Sequence, residues 1–121
     1  MEYFKITGLN LNRDLGHEWR RLDRILHEQG ATKVVGNPEE RFDFASDDLS
    51  TKMLSYVIHD VIIVAYASPN PFYAGVVPSV RGDLEINAQS ASRQELGELI
   101  EKLKESFPVF RESPIEALSK P

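Results

Sequence analysis

The sequence predicts a single α/β domain, an antiparallel sheet layered against helices in an α+β sandwich, and three observations carry that reading. Segments whose apolar residues alternate singly are interleaved with long segments whose apolar residues recur every three or four positions. No internal repeat, low-complexity tract or linker divides the chain. Its 121 residues match the usual size of one domain, which buries roughly two thirds of its unfolded surface and so needs no disulfide or metal to fold.

Tyr3 to Leu9 has the period of a strand, with Phe4 and Ile6 on one face and Tyr3, Lys5 and Thr7 on the other, before Gly8 and Asn10 break it. From Asp14 to Gln29, Leu15, Trp19, Leu22, Ile25 and Leu26 fall within one arc of a helix, and Gly30 follows as a stop. Thr32 to Gly36 reads as a short strand, Asn37-Pro38-Glu39-Glu40 as a turn, and Arg41 to Ala45 as the returning strand of a hairpin, with Phe42 and Phe44 on one face. Ser46 followed by Asp47 and Asp48 reads as a helix N-terminus, where a hydroxyl caps free amides and carboxylates meet the positive end of the dipole. Leu49, Met53, Tyr56 and Val57 then supply helical spacing. A competing reading makes Leu54 to Ala67 one long strand, because Val57, Ile58 and Val61 to Val64 are β-branched; the preferred reading breaks the chain at His59-Asp60.

Val61 to Tyr66 is apolar on both faces, so this strand is expected to be covered on both sides. Ser68 to Pro78 forms a proline-rich loop that holds Phe72 and Tyr73. In the next strand Val80, Leu84, Ile86 and Ala88 alternate with Arg81, Asp83, Glu85 and Asn87. The last helix opens at the capping box Ser92-Arg93-Gln94-Glu95, carries Leu96, Leu99, Ile100, Leu103 and Phe107 on one stripe, and stops before Pro108. The tail, 112–121, is expected to be loosely held.

The first six elements thus read strand, helix, strand, strand, helix, strand, the βαββαβ order of the ferredoxin-like sandwich, over about 3–67. An extra C-terminal strand and helix follow over about 79–107, within one domain spanning 1–121. The core motif leaves one sheet face open, so either the last helix or a second subunit is expected to cover it.

The strand ending near Gly8-Leu9, the helix segment His17-Glu18-Trp19-Arg20-Arg21-Leu22-Asp23-Arg24-Ile25-Leu26 closing on Gly30-Ala31, the hairpin, the helix from Ser46 and the run Asp60-Val61-Ile62-Ile63-Val64 carry a resemblance over residues 3–67. The chain resembles the small CRISPR-associated spacer-acquisition subunit and its relatives among the virulence-associated protein D toxins. The resemblance implies homodimers whose sheets join, and in some members metal-dependent nuclease activity. The family's candidate metal-binding aspartate, at the end of the first strand, is matched here by Gly8, with Asp14 the next acidic residue. What carries over is therefore the dimeric core without its chemistry.

Bulk composition narrows the function classes. The formal net charge of −5 repels phosphate backbones, so nucleic-acid binding would require a local basic face. Zero cysteines exclude thiolate metal sites and cysteine nucleophiles and fit a reducing compartment. The N-terminal residues lack the basic start and apolar core of a signal peptide, which makes a cytoplasmic location the expectation. The apolar run Val61 to Ala67 is far shorter than the ~20 residues a membrane helix needs, so no membrane association is expected.

On the polar side of the first helix, His17, Arg20, Arg21, Arg24 and Glu28 share a face, and planar guanidinium groups there suit phosphates or an acidic partner. The competing reading is a solvated face on which Asp14, Glu18, Asp23 and Glu28 neutralise much of the charge. Phe72 and Tyr73 suit a partly rigid recognition loop or else pack on the open sheet face. Glu39, Glu40, Asp43, Asp47 and Asp48 offer carboxylates to a hard cation, but without calcium-loop spacing they read better as a hairpin tip and a helix start. His17 and His27 are ten residues apart, no His-Glu-x-x-His motif occurs, and His59 beside Asp60 more simply ends an element than serves as a base. No nucleophile elbow or phosphate-binding glycine loop is present, and Arg81-Gly82-Asp83 lies within an expected strand.

The expectation is accordingly a non-catalytic binding protein, a homodimer without cofactor or metal, that engages a protein or nucleic acid through His17, Arg20, Arg21, Arg24, Phe72 and Tyr73. The alternative is a divergent metal-dependent nuclease recruiting Asp14, Asp43 or Asp60. A small-molecule pocket on the open sheet face is the third reading.

Overall fold

The computed structural model describes residues 2–10, 15–39, 52–69, 82–107, 110–112 and 116–117, with side-chain surroundings for 15–39, 52–69 and 82–107. The elements in order are β1 (Glu2–Asn10), α1 (Leu15–Glu28), β2 (Thr32–Val35), β3 (Lys52–Ile58), β4 (Val61–Pro69), β5 (Gly82–Ser90), α2 (Arg93–Ser106), β6 (Phe110–Glu112) and β7 (Glu116–Ala117). All strand pairs are antiparallel and form one seven-stranded sheet in the order β2-β3-β4-β5-β1-β6, with β7 also pairing β1. The fold is an α+β sandwich, as the alternation of periods predicts.

α1 forms where one apolar stripe meets clear ends. Leu15, Trp19, Leu22, Ile25 and Leu26 are all buried. Its C-terminus closes in a Schellman arrangement: Ala31 N–H donates to Leu26 O at 2.9 Å, Gly30 N–H donates to His27 O at 2.9 Å, and Gly30 takes φ +91°. α2 repeats the pattern with Leu96, Leu99, Ile100, Leu103 and the flanking Phe107 buried. Only half of its capping box closes. Glu95 N–H donates to Ser92 Oγ, while Ser92 N–H donates to Ser90 Oγ at 2.9 Å rather than to the Glu95 carboxylate.

The segment expected to run as a helix from Ser46 through Val57 is corrected over its described part, because Lys52–Ile58 is a strand paired with β4 along its whole length. Leu54 and Tyr56 point into the core at period two, and the turn at His59-Asp60 returns the chain directly, with His59 at φ +51°. Among the described residues four strands therefore stand between the two helices, and the βαββαβ order is not confirmed. Arg41 to Ala45, Ser46 and the loop with Phe72 and Tyr73 lie outside the described residues. Part of the expected loose tail is instead the sheet edge, since Glu112 pairs with Ile6 and Glu116 pairs with Tyr3.

Both helices lie on one face of the sheet. That face supplies the core: Leu54 and Tyr56 from β3, Val61, Ile63, Ala65 and Ala67 from β4, and Leu84, Ile86 and Ala88 from β5. The last helix thus lies on the core face, and among the described residues no element covers the opposite one. There Val57, Ile62 and Gln89 stand in one register row, Ser55, Val64 and Asn87 in the next, and Met53, Tyr66 and Glu85 in a third.

Candidate functional site

The residues singled out on α1 separate in space. His17, Arg20 and Arg24 follow one another at spacings of three and four and are exposed on the outer face of the helix. Arg21 is not available in the same way. Its guanidinium donates to Glu18 Oε2 at 3.0 Å and to Ser106 O at 2.5 Å, and it lies over the Phe107 ring at 4.9 Å from the centroid. Glu18 is 1% exposed, so this arginine neutralises a buried carboxylate and satisfies a carbonyl at the C-terminal end of α2. Arg21 is therefore a strut between the helices, held apart from the exposed row of His17, Arg20 and Arg24. Sequence spacing hid this because the partner lies 85 residues away.

Beneath the second half of α1 is a cluster that the sequence reading did not find. Tyr56 is fully buried and its hydroxyl donates to Asp23 Oδ1, while His27 Nε2 lies 3.4 Å from the same oxygen. The His27 and Tyr56 rings meet edge to face at 6.3 Å. Burial, then the bond to Asp23 and that carboxylate's charge, push the Tyr56 hydroxyl well above the usual tyrosine range. A hydroxyl with no exposed surface has no route to a substrate, so the cluster pins α1 to β3.

A cleft of about 370 Å³ opens at the end of the helical layer. α2 contributes Glu95, Glu98, Leu99 and Lys102, the β3–β4 turn contributes Ile58 and His59, and Val61 and Gln29 complete it. On the other side of the sheet, a shallower depression of about 240 Å³ lies among Ile62, Val64, Tyr66, Asn87 and Gln89. Among the described residues, no group of three or more His, Asp or Glu side chains is placed to hold a metal. Also among them, no helix is long and apolar enough to cross a membrane.

The open sheet face is divided. Across β2 to β4 it is uncharged and mostly apolar, with Val35 48%, Met53 40%, Val57 39% and Ile62 39% exposed beside Val64 and Tyr66, and with Thr32 and Ser55 as polar residues among them. Across β5 it becomes polar, with Asp83, Glu85, Asn87 and Gln89. Of the acidic candidates, Glu39 is exposed with its N–H donating to Asn37 Oδ1, and Asp60 is exposed in the β3–β4 turn. Asp14, Glu40, Asp43, Asp47 and Asp48 lie outside the described residues. No protein-family model and no curated protein sequence matches the chain.

Proposed function

We propose that the protein is a non-catalytic interaction protein that works as a homodimer, with the open sheet face as the dimer interface. The exposed row of His17, Arg20 and Arg24 then lies on the far side of each subunit, where it faces a macromolecular partner. The observation that carries this reading is the uncharged apolar half of the open face. Large contiguous apolar surface is uncommon on a soluble monomer and marks an interaction site.

A second copy is the occupant that fits the chemistry of this face. A patch without charge offers nothing for an oppositely charged partner, and the acidic border at Asp83 and Glu85 together with a net charge of −5 disfavours nucleic acid. Two-fold stacking places apolar stripe on apolar stripe and leaves the β5 residues as a wet polar rim, the usual anatomy of a protein interface. With strands about 4.8 Å apart and a rise of about 3.3 Å per residue, the face from β2 to β5 measures roughly 20 by 25 Å. That footprint is of the order needed for the roughly 800 Å² per partner of a standard interface.

Sedimentation of the purified chain tests the proposal. The expected particle has twice the 13.7 kDa mass of the chain, and Val57→Asp with Ile62→Asp returns it to 13.7 kDa with an unchanged circular dichroism spectrum. A wild-type chain that sediments as a monomer at high micromolar concentration would overturn the reading.

A further inference from the structure

The outer side of the helical layer carries two rows of opposite character and equal length. On α1, His17, Arg20 and Arg24 are exposed along the crest opposite the buried stripe. On α2 the crest belongs to Glu98, Glu101 and Glu105, exposed opposite Leu96, Leu99, Ile100 and Leu103. Both rows run at spacings of three and then four residues, so each is about 10 Å long at a rise of about 1.5 Å per residue. At about 100° per residue, Lys102 and Lys104 fall on the two flanks of the acidic row and not on its crest. Glu98 accepts from Gln94 Nε2 at 3.3 Å, and Glu101 pairs with Lys104 at 3.7 Å while keeping 73% of its side chain exposed.

The two helices lie antiparallel. Arg21, in the first half of α1, reaches Ser106 O at the end of α2, whereas Gln29, just past α1, shares a cleft with Glu95 and Glu98 at the start of α2. His17 therefore stands at the same end of the layer as Glu105, and Arg24 at the same end as Glu98. A two-fold axis running between the helices and parallel to them lays α1 of each copy antiparallel on α2 of the other. It sets His17 against Glu105, Arg20 against Glu101 and Arg24 against Glu98, and the symmetry makes each pair twice. Beyond Arg24, Glu28 comes to the amide of Gln94, so no like charges meet at the end of the row. The perpendicular axis in the same plane stacks α1 on α1 and opposes like charges instead.

We propose that the partner of the α1 row is α2 of a second copy of this chain, docked helical layer to helical layer about the first axis. The proposal rests on the reading of that row as a docking surface and not on the sheet-face dimer. Charge complementarity selects the occupant. A face whose basic and acidic rows match in length and register is complementary to itself, whereas a polyanion would meet the acidic row beside the basic one. Exposed pairs contribute little each, so the contact is transient and sensitive to salt.

Cross-linking in a chain without natural cysteine tests the proposal. The Arg20→Cys chain and the Glu101→Cys chain are mixed in equal amounts at high micromolar concentration and low salt and treated with a short bismaleimide. Random encounter makes the mixed product equal to the two like-with-like products together. The expected mixed product exceeds them by about fivefold, and the excess disappears at about 1 M salt, where the Debye length falls to about 3 Å. Arg24→Glu in both chains removes the excess, and Glu98→Lys added to both restores it. The excess persists in chains that also carry Val57→Asp and Ile62→Asp, so it stands even where sedimentation shows no sheet-face dimer; its loss there would overturn the independence of the two contacts. A mixed product at the random share assigns the α1 row to an acidic partner other than this chain and overturns the proposal, as would an excess indifferent to salt or a charge swap that fails to restore it.

Discussion

Replacing Tyr56 by Phe isolates the interaction that pins α1 to β3. The ring is fully buried and stays so in the variant, so the change removes one hydroxyl and its bond to Asp23. A hydrogen bond to a charged group contributes about 1.5–3 kcal/mol, and Asp23, partly exposed and still beside His27, places the loss near the lower end, about 1.5–2 kcal/mol. For a domain of this size each kcal/mol moves Tm by about 3–5 °C, so a fall of about 5–10 °C is expected. The pH dependence follows from the same bond. The folded state holds the Tyr56 hydroxyl protonated well above its ordinary value, so its contribution is fully present below about pH 10. Above that pH the unfolded chain releases the proton first, and the contribution declines by up to about 1.4 kcal/mol per pH unit. Urea denaturation of both proteins at pH 8 to 11 reads this directly. The gap between wild type and Tyr56→Phe should narrow by about 1.4 kcal/mol by pH 11, because the other titrating groups cancel in the difference. A gap that is absent at pH 8, or constant to pH 11, would refute the reasoning.

Two further perturbations probe the helical layer and the turn after it. Arg21→Met leaves the buried Glu18 without its guanidinium and should destabilise the protein by about 3 kcal/mol in urea denaturation, with Glu18→Gln in the same chain recovering more than half. Arg20→Met, on the exposed row, should change stability by less than about 0.5 kcal/mol, and equal losses at the two sites would contradict the strut assignment. Gly30→Ala and Gly36→Ala both place a side chain at positive φ, but only at Gly36 does the added Cβ meet backbone, 2.2 Å from Met53 O. Gly30→Ala should therefore cost about 1–2 kcal/mol and Gly36→Ala distinctly more, a difference visible in thermal melts; equal losses would show that the β2–β3 approach is not tight.

Much of this architecture is legible in the residues themselves. Leu15 to Leu26 and Leu96 to Phe107 each present one apolar stripe with polar residues opposite, and such long periodic segments leave no competing assignment. Leu84, Ile86 and Ala88 alternate cleanly for the same reason. The misread element is β3, where Met53, Tyr56 and Val57 fit helical spacing while Leu54, Tyr56 and Ile58 fit a strand. Seven residues are too few for periodicity to decide between them. Pairing with β4 through the His59-Asp60 turn settles it, and that is a tertiary fact. Val61 to Tyr66 forms the expected strand with one face on the core, whereas the expected cover on its second face is supplied by no described element, and what covers that face is not encoded in local pattern.

The site residues divide along the same line. His17, Arg20 and Arg24 are exposed, as a polar helix face predicts, whereas Arg21 reaches a carbonyl on a distant helix. The cleft around Glu95 and His59 joins α2 to a hairpin turn, and no single segment contains its pattern. Its sequence signal was the capping box, read as closed when the Ser90 hydroxyl in fact takes one of its bonds.

The central claim, that the open sheet face is buried against a second copy, is tested most directly by accessibility in a chain whose natural sequence has no cysteine to interfere. Val57→Cys places a single thiol on the open face and Arg24→Cys places one on the outer face of α1. Labelled with a bulky maleimide, Val57→Cys should react slowly at high protein concentration and faster on dilution, while Arg24→Cys reacts quickly throughout. Rapid, concentration-independent labelling of both would contradict the dimer.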